Sequence, residues 1–158
     1  MFPTDVVPVI IASRQYRAMK WGFTAIDGKP IINARSETAA QKPLFSACMR
    51  ERRCLIPASG YYEWAAGRRG QKAKYYFHSP NGSLYLAGCW RQEPQGAAFV
   101  ILTRDAVNGC EAVHDHMPVI IPRELADEWL NGNPKVMERS ETELIFEEST
   151  NGQQRLFD

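Results

Sequence analysis

Residues 53–64 read Arg53-Cys54-Leu55-Ile56-Pro57-Ala58-Ser59-Gly60-Tyr61-Tyr62-Glu63-Trp64. An apolar run meets a Ser-Gly break and then an aromatic run, the pattern of a strand, a turn and a second strand. The same pattern repeats outward on both sides. Upstream lie VVPVIIA (6–12) and YRAMKWGF (16–23). Downstream, KYYFHS (74–79) and SLYLAGCW (83–90) flank Pro80-Asn81-Gly82, and Asn-Gly is the signature of a two-residue hairpin. AAFVILT (97–103) is a continuous run of the kind buried on both faces, MPVII (117–121) is another, and ELIFEE (143–148) is a weaker late one. Helical signals are fewer. Ser36 can cap a segment over 37–42, and Pro43 can open a turn running to about Arg52. Pro122 opens a helix with Leu125 and Trp129 at i and i+4, which Asn131-Gly132 ends. Many strands with few crossover helices predict an α+β protein. A single, mostly antiparallel β-barrel with a few flanking helices is expected over residues 1–148, followed by a flexible polar tail over 149–158.

The composition is that of a globular domain: of 158 residues, 44% are hydrophobic and 23% charged, which excludes a disordered chain. A net charge of +1 excludes a histone-like polycation. It hides an asymmetry, because residues 1–74 carry 13 Lys/Arg against 5 Asp/Glu while residues 75–158 carry 6 against 13. A basic half is a footprint for a polyanion. The longest apolar run, 6–12, is far too short to span a membrane and contains Pro8. The opening MFPTDVVPVI has neither a cationic leader nor a cleavage signature, so a cytoplasmic protein with no membrane partner is expected. Cys48, Cys54, Cys89 and Cys110 show no CxxC spacing and lie in apolar contexts; reduced, buried and inert thiols are expected.

The polar residues cluster in short blocks: Trp21-Gly22, residues 32–38 around Asn33, Arg35 and Glu37, the block 53–64, and residues 113–119 around His114, Met117 and Pro118. Asn33 and Arg35 are two apart, so on an extended segment they share a face, and an amide beside a guanidinium suits phosphate or a polar base edge. The same pair could instead tie down a loop. Glu63 lies between Tyr62 and Trp64, surroundings that raise a carboxyl toward proton transfer near neutrality, or it is a structural partner for an arginine. His114 can act as acid or base. Tyr61, Tyr62 and Trp64 offer platforms for unpaired bases, although aromatics are more often core. The basic run Arg50-Glu51-Arg52-Arg53 is followed by Arg68, Arg69, Lys72 and Lys74. His114-x-His116 has metal-like spacing without a third ligand, so no metal and no cofactor is expected; a hydrolase metal site with Glu63 is the reading this weighs against.

In order, WG (21–22), INARSET (32–38), RRCLIPASGYYEW (52–64), AGCW (87–90) and VHDHMPV (113–119) resemble the pattern of the SRAP family, the SOS-response-associated peptidases. The resemblance covers roughly residues 6–130. It implies a single α+β domain around a β-barrel that binds single-stranded DNA and crosslinks to abasic sites in the DNA-damage response, with autoproteolytic and lyase-type chemistry. The implied DNA and abasic-site residues are Trp21, Asn33, Arg35, Glu37, Arg53, Tyr61, Tyr62, Trp64, Met117 and Pro118. Asn33 and Arg35 would hold the phosphate and abasic sugar, Glu63 would manage protons on the amine and aldehyde, and His114 would act as acid and base on the sugar.

Family members begin Met-Cys-Gly-Arg, and the freed N-terminal cysteine closes a thiazolidine ring on the sugar aldehyde. Here Met1 is followed by Phe2-Pro3-Thr4-Asp5. The chain is therefore read as an N-terminally short member in which the covalent chemistry is not expected as it stands. The alternative reading is a non-catalytic module that binds single-stranded DNA or a partner. His116 stands where the pattern has Arg, which weakens one anion contact. In the tail, Gln153-x-x-Leu156-Phe157 resembles the peptide by which bacterial replication and repair proteins dock onto the sliding clamp. There Leu156 and Phe157 would fill an apolar pocket and Gln153 would anchor its rim.

Overall fold

The computed structural model describes residues 1–66 and 70–149. Arg68 and Arg69 of the basic run lie outside the described residues. So does the expected tail from residue 150 on, including Gln153, Leu156 and Phe157.

Five strands close a barrel: β1 (Val6–Ile11), β2 (Gln15–Trp21), β6 (Arg53–Ala58), β9 (Leu84–Glu93) and β10 (Gly96–Asp105). The remaining strands in chain order are β3 (Phe23–Thr24), β4 (Pro30–Ile31), β5 (Asn33–Arg35), β7 (Tyr61–Ala66), β8 (Lys72–His78), β11 (His116–Pro118) and β12 (Ile145–Glu148). Around the barrel the seams β10–β9, β9–β6, β6–β1 and β1–β2 are antiparallel, and β2–β10 is parallel. The β1–β6 seam rests on the single pair Ile10↔Leu55. That leaves the β6 side open at Pro8, which has no N–H to offer a neighbour.

The runs of β6, β9 and β10 are continuous because both faces of the wall are buried there. Val9, Met19, Cys54, Ile56, Leu86, Phe99 and Ile101 fill the barrel interior. Ile10, Leu55, Ala87, Val100 and Leu102 face outward beneath the two short helices, α1 (Ser46–Glu51) and α2 (Ala126–Leu130). Trp129 of α2 is fully buried there, and its Nε1 donates to the Cys54 carbonyl at 2.9 Å. Gly88 faces the interior, where a Cβ would sit 2.6 Å from the Val100 carbonyl, so only glycine lets β9 and β10 close. Among the described residues no helix is long and apolar enough to cross a membrane.

Several expectations are corrected. The helix expected from Pro122 is a 3-10 turn, Arg123–Leu125, followed by α2, and the segment after Ser36 forms only the turn Ala39–Gln41 before α1. MPVII pairs as a strand only over His116–Pro118. Asn81-Gly82 makes a tight turn, with the Gly82 N–H on the Ser79 carbonyl, yet β8 and β9 do not form a hairpin. β9 is apolar on both faces and enters the barrel, whereas β8 is half-exposed and pairs with β7 and β12 in a separate three-stranded sheet. Its aromatics pack there: Tyr61 stacks on Phe77 at 4.9 Å, and Phe77 on Phe146 at 5.0 Å. Cys48 of α1 and Cys89 of β9, expected as inert thiols, are joined as a disulfide with Cα atoms 5.3 Å apart, while Cys54 and Cys110 are free and buried.

Candidate active site

The site grows from the far end of β10. Beyond the barrel this strand gains two new neighbours. β5 runs parallel along one edge, with Ile101↔Asn33 and Thr103↔Arg35, and β11 runs antiparallel along the other, with Thr103↔Pro118 and Asp105↔His116. Asn33 and Arg35 therefore face β11 across Thr103. Gly22, at φ 118°, turns the chain sharply after Trp21; its N–H donates to the Phe99 carbonyl, and the Trp21 Nε1 is held on the Ile32 carbonyl at 3.0 Å. The three-stranded sheet brings β7 against this end from the side.

Between them lies a cavity of about 360 Å³. Of the residues expected to be functional, Trp21, Asn33, Arg35, Tyr61, Tyr62, Glu63, His114, Met117 and Pro118 all line it. Residues 21 to 118 are thus brought to one place by topology. Trp64 is half-exposed and lines an adjoining cavity of about 250 Å³ with Met1, Phe2 and Lys74; the two cavities share Trp21, Tyr61 and Tyr62. The Lys74 ammonium lies 4.3 Å from the Tyr62 ring centre and 5.4 Å from that of Trp64. Glu37 does not line the cavity and instead grips Arg35.

Arg53 is not brought to the site. It is buried at the start of β6, where its Nε caps the Met49 carbonyl of α1 at 2.7 Å and its guanidinium lies over Trp129. Helix-capping and stacking explain why this arginine is in the motif block without facing the cavity.

His114 and Glu63 face each other, with Nε2 and Oε2 4.0 Å apart. His114 Nδ1 sits against the His116 backbone, 3.1 Å from its N–H and 3.2 Å from its carbonyl, which turns Nε2 toward Glu63. Burial pushes the Glu63 carboxyl above its ordinary range, while His114 and the Trp64 N–H pull partly the other way. Burial also pushes up the Cys54 thiol and the Tyr61 phenol, so neither is a ready nucleophile. Chemically the cavity offers a raised carboxyl, an imidazole beside it, and an amide–guanidinium pair opposite: proton transfer at one wall and anion binding at the other.

Sequence reasoning did not pick out Thr103 or Asp105, which close the apolar run of β10. The abrupt polar ending Thr103-Arg104-Asp105 is the signal that marks them. Among the described residues no group of three or more His, Cys, Asp or Glu is arranged to hold a metal ion.

Comparison with known proteins places this architecture. The chain is 34% identical over 117 residues to the abasic site processing protein YoqW of Bacillus subtilis, covering 70% of this chain and 52% of that protein. It is 27% identical over 127 residues to the abasic site processing protein YedK of Escherichia coli, covering 77% and 57%. The chain thus spans about half the length of the relatives it matches. A crystal structure of a protein from Bacteroides thetaiotaomicron shares the fold with a TM-score of 0.81 at 22% identity, over 94% of this chain and 75% of that one. A phage-related protein from Bordetella bronchiseptica does so with a TM-score of 0.79 at 25% identity, over 96% and 81%. The model of the SOS response associated peptidase (SRAP) family matches residues 1–154, and the chain belongs to that family.

Proposed function

We propose that this chain recognises abasic sites in single-stranded DNA and acts on the exposed sugar. One observation carries the reading: Glu63 and His114 face each other in a cavity whose opposite wall presents Asn33 and Arg35. An abasic sugar needs both halves. Its flanking phosphate is an anion for Arg35, and its hydroxyl must gain or lose protons as the ring opens to an aldehyde. A carboxyl raised toward neutrality and an imidazole are suited to that exchange, with Asn33 on the sugar. Tyr62, Trp64 and Lys74 along the neighbouring cavity suit the unpaired bases and backbone of a single strand. The names of the relatives, abasic site processing proteins, support the same substrate. On this reading the protein works in the cytoplasm, at the DNA.

Fluorescence anisotropy with single-stranded oligonucleotides, intact or carrying a tetrahydrofuran abasic analogue, tests the proposal. The abasic strand should bind more tightly than the intact strand or a duplex. Arg35→Ala should weaken binding of the abasic strand, as the loss of a charge-assisted contact does. Equal affinity for intact and abasic strands overturns the reading. A finer partner, the sliding clamp, is proposed for the tail motif of Gln153, Leu156 and Phe157. A labelled peptide of residues 149–158 should bind a bacterial clamp with about micromolar affinity, and replacing Leu156 and Phe157 by Ala should abolish it.

A further inference from the structure

Arg35, the cation of the cavity, is already neutralised. Its Nη2 donates to Asp105 Oδ1 at 2.6 Å, while Glu37 accepts from Nε at 3.2 Å and from Nη2 at 3.3 Å. Two carboxylates thus stand against one positive charge. Their side chains are 78% exposed for Asp105 and 47% for Glu37, so neither pair contributes much to holding the fold. With Nε and Nη2 so engaged, Nη1 alone carries no carboxylate among the described residues, and an anion that takes a two-point grip across Nη1 and Nη2 must displace one partner.

The two partners differ. Glu37 is two residues away on the same segment, and its carboxylate forks across Nε and Nη2, which fixes the plane of the guanidinium. Asp105 comes from another strand, touches one nitrogen only and is the more exposed of the two. Its cross-strand partner is His116, and the neighbouring Arg104 turns its Nε to the Asp105 main-chain carbonyl, so that guanidinium does not hold the carboxylate.

We infer that Asp105 is a positioning residue that stands in for phosphate on Arg35 and is displaced when a DNA phosphate arrives, with Glu37 keeping the guanidinium oriented throughout. The arrangement makes Arg35 selective: a weak or transient anion does not dislodge the carboxylate, whereas a strand anchored elsewhere in the cavity does. This inference rests on the proposed DNA reading.

The test uses the 158-residue protein and an oligonucleotide with a tetrahydrofuran site, by anisotropy at fixed salt. Asp105→Asn should tighten binding about two- to fivefold, the range of one exposed ion pair. Glu37→Gln should weaken it, and Asp105→Glu, which keeps the charge, should stay near wild type. In an Arg35→Ala background, Asp105→Asn should change nothing, because the effect passes through that guanidinium. Equal tightening in both backgrounds would mean that Asp105 acts only through long-range repulsion of DNA, and unchanged or weaker binding by Asp105→Asn would make it a structural tie; either overturns the inference. If the wild type does not bind, or Arg35→Ala binds as well as wild type, the DNA reading itself falls.

Discussion

Glu63 shows what the site costs the fold. Its carboxyl is raised chiefly by burial, so at neutral pH its ionised form is less at ease folded than unfolded. With the folded value above the unfolded one, stability is fullest at low pH and declines as pH rises through the folded value. Glu63→Gln should therefore raise the melting temperature at pH 7, and the gain should vanish at pH 4. Thermal melts of both proteins at pH 7 and pH 4 check this. At this scale much of the site was legible: Asn33, Arg35, Glu63 and His114 stand out as polar residues in otherwise apolar blocks. Asp105 and Thr103 were hidden because they end a run that reads as pure core. Arg53 misled because a buried guanidinium capping a helix carbonyl looks, in sequence, like one awaiting a ligand.

Among the elements, β9 ties the barrel to its flank. Glu93 at its end accepts from the Thr24 N–H and hydroxyl, from Arg91 and from Lys20. Burial opposes its charge, but these donors outweigh burial and bring its pKa down to about 2. The network's stability is therefore present above the usual carboxylate value and is lost as pH falls toward 2. Glu93→Gln should cost about 1–3 kcal/mol at pH 7 by denaturant titration, and the difference from wild type should shrink below pH 4. Gly88→Ala should cost about 1–3 kcal/mol more directly, since the added methyl meets the Val100 carbonyl, which cannot turn away, as well as the Ile56 side chain. Strands such as β6 and β10 were readable because both faces are buried. The Asn-Gly turn was readable as a turn and not as a hairpin, because local chemistry sets the bend while burial decides which sheet each arm joins. No spacing rule pointed to the Cys48–Cys89 pairing, which depends on α1 lying across β9.

For the molecule as a whole, binding to single-stranded DNA should weaken steeply between low and moderate salt, because each phosphate contact releases counterions.

The parallel seam between β2 and β10 also fixes when the protein can first work. It joins Lys20 to Ala98, and the site adds Asn33 to Ile101 and Asp105 to His116. During synthesis the early strands wait with unpaired edges until β10 has left the ribosome, and the anion wall waits longer still, for β11. On the proposed reading, a nascent chain gains its site for DNA only after β11 has emerged. Ribosomes stalled before about residue 118 should display an open, chaperone-binding sheet with no affinity for an abasic strand.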